Sequence, residues 1–87
     1  MTSIEFQQKM SMLRAKYRMS TTSGFRTVAH NKKVGGHPES FHMLGLAEDV
    51  VMDSNFVFNL NDLYSDCTKL GLQMIYEGDH YHIEANL

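Results

Sequence analysis

Two short runs close the chain, LQMIY (72–76) and HYHIE (80–84), joined through Glu77-Gly78. Runs of this length on either side of a glycine-containing turn read as a β-hairpin. That commits the C-terminal end to an antiparallel sheet and leaves the rest of the chain to cover it. At the opposite end, Thr2 followed three residues later by Glu5 is a capping box, and Phe6, Met10, Leu13 and Tyr17 then recur at helical spacing. The pattern predicts a helix over about residues 3–17 with one apolar stripe.

Between these ends the punctuation is clear. MSTTSGFRT (19–27) is β-prone around its threonines and Phe25, with Gly24 as a candidate bulge. HNKKVGGHPES (30–40) carries Gly35, Gly36 and Pro38 and reads mostly as loop. LAEDVVM (46–52) alternates and then becomes continuously apolar, as a partly buried strand does. Asn59 or Asn61 caps a second helix whose apolar face is Leu60, Leu63, Tyr64, Cys67 and Leu70, and Gly71 stands where a C-terminal cap belongs. The expected class is α+β, with two or three helices packed on a small antiparallel sheet.

Eighty-seven residues make a single domain, near the lower end of what folds without staples. We read 1–87 as one unit, with 1–18 an N-terminal helical segment and 19–87 the core. A hydrophobic content of 43% argues against disorder of the whole chain. The net charge of -2 and the lack of a long basic run remove the electrostatic footprint of a nucleic-acid binder. No apolar stretch approaches the roughly 20 residues needed to span a bilayer. Glu5, Lys9, Arg14, Lys16 and Arg18 interrupt any signal-peptide segment, so the expectation is cytoplasmic synthesis and some other exit route. Cys67 has no partner for an internal disulfide and no CxxC context, and reads as a buried thiol.

The histidines and acids suggest more. His80 and His82 sit two apart in a strand pattern and project to one side, about 6.6 Å apart along the chain. His42 and Asp49 are seven apart; extended, that spacing is about 23 Å, so sharing one ion requires a turn, which Gly45 can supply. Two histidines and one carboxylate leave a fourth zinc position for water, the mark of a catalytic site. The plainer alternative stands beside it: surface histidines, and an Asp49 that caps a turn. His30 and His37 read as solvent-exposed groups or supports behind the ligands.

Taken together, SGFR (23–26), NKKVGG (31–36), SFHMLGLAED (40–49) and DHYHIE (79–84) resemble a known family. It is that of the zinc D-Ala-D-Ala carboxypeptidases and L-alanyl-D-glutamate endopeptidases of bacterial cell-wall peptides, particularly the C-terminal-domain type common in phages. Hedgehog signalling domains share this zinc fold. The most specific part is the middle motif, with Ser40, His42, Gly45, Ala47 and Asp49 in register.

The resemblance implies one Zn2+ held by His42, Asp49 and His82. It implies that Asp79 is the catalytic carboxylate, that Arg26 holds a substrate carbonyl or carboxylate, and that His80 lies beside the metal and assists. Ser40 would support the site or touch substrate. Strict alternation opposes Asp79 to His80 and His82, so the reading needs residue 79 to remain within the turn. Glu84 is the fallback carboxylate, with solvation on an edge strand as its alternative; Glu48 should point away from the metal. The implied activity is zinc-dependent hydrolysis of a peptidoglycan stem peptide by a monomer, in the manner of a phage lysis or virion-associated enzyme. The alternative is a non-catalytic, zinc-stabilised binding module of the same fold.

Overall fold

The computed structural model describes residues 1–37 and 40–86. Its elements are α1 (Ser3–Lys16), β1 (Met19–Ser23), α2 (Val28–Lys33), a 3-10 turn (Phe41–Leu44), β2 (Ala47–Met52), α3 (Leu60–Lys69), β3 (Leu72–Tyr76) and β4 (Tyr81–Ala85). The four strands form one sheet in the order β1-β2-β4-β3, every neighbouring pair antiparallel. The α+β expectation holds. Because β2 and β3 both oppose β4, they run the same way with β4 between them, and α3 is the crossover that makes this possible.

Local chemistry explains the elements. The Thr2 side chain accepts from the Glu5 amide while the Glu5 carboxylate accepts from the Thr2 amide, satisfying two donors at the start of α1. The stripe of Phe6, Met10, Leu13 and Tyr17 is buried on one sheet face, in a cluster with Leu63 and Cys67 of α3 and with Val50, Met74 and Ile83. Asn59 caps α3, its side chain accepting from the Asp62 amide. Gly71 follows that helix at φ +72°, the left-handed conformation that glycine adopts without penalty.

Several expectations are corrected. The segment read as loop from residue 30 begins inside α2, which Thr27 caps through the His30 amide; a short cap-nucleated helix leaves little periodic signal. Pro38 and Glu39 of that segment lie outside the described residues. The sheet irregularity falls between Thr21 and Ser23, and Gly24 follows the end of β1. Leu60 and Tyr64 are exposed, so the buried face of α3 is narrower than its sequence pattern. β4 is an interior strand, so edge-strand solvation is not open to Glu84.

Alternation then separates two chemistries. On β2, Glu48 and Val50 face α1 while Asp49 faces the other side. Glu48, only 4% exposed, points away from Asp49 and is held by Arg14, by Gln7 Nε2 at 3.1 Å and by Thr21 Oγ1 at 3.0 Å. The register pairs Asp49 with His82, placing their side chains on the same face, next to Ser23 of β1 and Ile75 of β3.

Candidate metal centre

His42 reaches that face from the 3-10 turn. The Ser40 hydroxyl caps the turn by accepting from the His42 amide at 3.2 Å. Gly45 ends it at φ +69°, reversing the chain so that β2 can begin and Asp49 can return to His42. The seven-residue spacing is thus folded back as the sequence reading required. The buried His42 ring has its Nδ1 2.8 Å from the Gly24 carbonyl oxygen. A carbonyl can only accept, so Nδ1 carries a proton and Nε2 is the nitrogen directed towards Asp49 Oδ2, 3.4 Å away.

His82 approaches from β4 with its Nδ1 2.9 Å from Asp49 Oδ1. The two imidazole rings meet edge-on with centroids 5.2 Å apart. One ligand atom from each of His42, Asp49 and His82 lies within 4.8 Å of the others. Imidazole, imidazole and carboxylate is a donor set that zinc accepts, and the tautomer fixed by Gly24 leaves the right nitrogen of His42 free. These residues fit the ion that the sequence implies.

Arg26 lies against the same centre. Its NH2 is 3.3 Å from Asp49 Oδ2, its Nε donates to Ser23 Oγ at 3.1 Å and its NH1 to Asn31 Oδ1 at 3.3 Å. The guanidinium offsets the charge of a carboxylate that is 8% exposed. Buried Asn31 is itself fixed by donating to the His37 carbonyl oxygen at 2.8 Å.

His80 lies in the turn before β4, and its ring still faces the centre, Nε2 being 3.8 Å from Asp49 Oδ1. Asp79 is within the turn as required, but its carboxylate is 92% exposed and reaches Nδ1, on the other edge of the His80 ring, at 2.5 Å. This bond raises the His80 pKa above the ordinary histidine value, with partial burial opposing and Asp49 and Glu77 adding to the rise. The same bond lowers the Asp79 pKa. Asp79 therefore meets the centre only through His80.

Glu77 was missed as a site residue and read only as part of a turn. Its Oε1 is 3.6 Å from both His80 Nε2 and His82 Nδ1, and with Asp49 and His80 it forms a second group of close ligand atoms. The signal was latent in the hairpin: continuing the alternation of Ile75 puts Glu77 on the face of His82. Glu84 is 3.8 Å from His82 Nε2, the side of the ring turned away from Asp49. His30 is exposed on α2 and is not part of the centre. Exposed His37 lines a groove beside it, together with Ser40, Phe41, Ile75, Glu77, His82 and Glu84.

The ligand cluster sits in a cleft of about 350 Å³ walled by Arg26, Gly36, Ser40, Glu77 and His80. Such an arrangement gives an α+β domain with a candidate metal-ligand group in an open cleft and titratable side chains on its rim. Residues 2–84 match the family model described as peptidase M15, and the chain belongs to that family, which is zinc-dependent. Neither the curated proteins nor the solved structures contain a match. Among the described residues, no helix is long and apolar enough to cross a membrane.

Proposed function

We propose that this protein is a zinc peptidase that hydrolyses a peptide bond in the stem peptide of bacterial peptidoglycan. The observation that carries the reading is the convergence of His42, Asp49 and His82 within 4.8 Å, at the bottom of an open cleft, in a chain of the peptidase M15 family. The three would hold one zinc ion, His42 through Nε2 and His82 through Nδ1. Zinc bound there would lower the pKa of a water to about 7 and polarise a carbonyl.

The chain's own groups then divide the remaining work. Arg26, anchored by Ser23 and Asn31, offers fixed positive charge to the oxygen on which negative charge grows as the carbonyl is attacked. Asp79 takes the Nδ1 edge of His80 and raises its pKa, leaving Nε2 directed at the centre and suited to exchange a proton with the leaving amine. Asp79 acts through that imidazole.

Mass spectrometry of purified peptidoglycan treated with the protein, with and without a chelator, tests this. Fragments cut at D-Ala-D-Ala or L-Ala-D-Glu, abolished by chelation and restored by zinc, are expected. A protein that binds one equivalent of zinc yet releases no fragments is instead the non-catalytic binding module, and the peptidase reading falls.

A further inference from the structure

We propose that Glu77, and not Asp79, is the carboxylate that accepts the proton of the attacking water; this rests on the peptidase reading above. The argument is one of position. Of the acids near the centre, Asp49 is occupied by its two histidines and Arg26. Glu84 approaches His82 at the ring nitrogen turned away from the cluster. Asp79 lies in solvent beyond His80. Among these, Glu77 lines the cleft beside the ligand cluster, with Oε1 3.6 Å from His82 Nδ1.

At 3.6 Å the Glu77 oxygen is in ion-pair range of His82 Nδ1 but beyond hydrogen-bond length, so the carboxylate lies beside the cluster without being bonded to it. Glu77 is also half exposed at the end of β3, so it can adjust, while the turn bond from its amide to the His80 carbonyl oxygen at 2.9 Å keeps its backbone in place. The same oxygen is 3.6 Å from His80 Nε2. The proton can therefore be accounted for throughout. As the water oxygen bonds to the carbonyl carbon, one water proton passes to Glu77. As the carbon–nitrogen bond breaks, that proton passes from Glu77 to the departing amine. The sum is one water added across one amide, with Glu77 restored.

The test compares wild type, Glu77→Gln, Glu77→Asp and Asp79→Asn for zinc content by elemental mass spectrometry and for stem-peptide hydrolysis by chromatography. Glu77→Gln is expected to keep one equivalent of zinc and to lose at least about 100-fold in rate, the usual scale for removing a general base. Glu77→Asp, a shortened carboxylate, should recover part of that loss. Asp79→Asn, acting through His80, should lose less than Glu77→Gln. Hydrolysis by Glu77→Gln within about tenfold of wild type would overturn the assignment. So would loss of its zinc, which would make Glu77 a ligand. In both cases the wild type still cleaves; a wild type that binds zinc and cleaves nothing removes the peptidase reading itself.

Discussion

At the scale of single residues, the candidate centre depends on positions outside its three candidate ligands. Gly36 is the clearest case. A Cβ there would lie 2.1 Å from Asn31 Oδ1 and 3.0 Å from Arg26 NH1, so any side chain displaces the amide that steadies the guanidinium. Gly36→Ala should cost about 1–3 kcal/mol of stability, as overpacking generally does. It should also lower the hydrolysis rate while leaving zinc content at one equivalent, because the atoms nearest the added Cβ belong to Asn31 and Arg26 and not to the three ligands. Thermal denaturation, elemental analysis and a rate assay on one preparation check all three. His42, Asp49 and His82 were visible as candidates from residue type and spacing. Glu77 was not, because a glutamate before a glycine is commonplace in turns; only the hairpin register turns it towards the histidines.

At the scale of elements, each segment carries one chemistry to the sheet and another away from it. β2 sends Asp49 to the centre and Glu48 to α1, so the strand that supplies a ligand is also pinned from behind by Arg14. A second clasp joins the end of α1 to α3. Asp66 accepts from Lys16 Nζ at 2.8 Å and from the Tyr17 hydroxyl at 2.6 Å. These bonds lower the Asp66 pKa, and burial together with Asp66 pushes the Tyr17 phenol up to about 12. The signs follow from linkage. Stability from Asp66 is complete above its unfolded pKa and is lost as pH falls through its lowered folded value. Stability from Tyr17 is complete below about 10 and is lost as pH rises towards 12. Asp66→Asn should therefore be less stable than wild type at pH 7, and the gap should close in acid; urea denaturation across that range measures it. The capping box of α1 and the hairpin were legible because both are local. α2 was not, since six residues cannot display a period.

At the scale of the whole molecule, the centre joins segments that are far apart in the chain, and this makes metal binding a folding term. The ligands come from the 3-10 turn, β2 and β4, so an ion gripping all three favours the folded chain over the unfolded one. At a free zinc concentration 100 times Kd, this linkage is worth about 2.7 kcal/mol. For a domain of this size that is on the order of 10 °C or more in Tm. Calorimetry should show the rise on adding zinc and its reversal by chelator. The rise should shrink as the pH is lowered, because protons compete for the imidazoles. A Tm indifferent to zinc at neutral pH would deny the site a place in the folded state.

The amino-acid order alone determined what is periodic or local: the class of fold, the capped start of α1, the hairpin and the turn at Gly45 that lets His42 and Asp49 share a site. Only the tertiary structure decided which nitrogen of His42 is free, that Asp79 is spent on His80, and that Glu77 faces the cleft. Those outcomes depend on strand register and on carbonyls distant in sequence. Spacing along a chain does not encode either one, because the groups involved become neighbours only when the sheet closes.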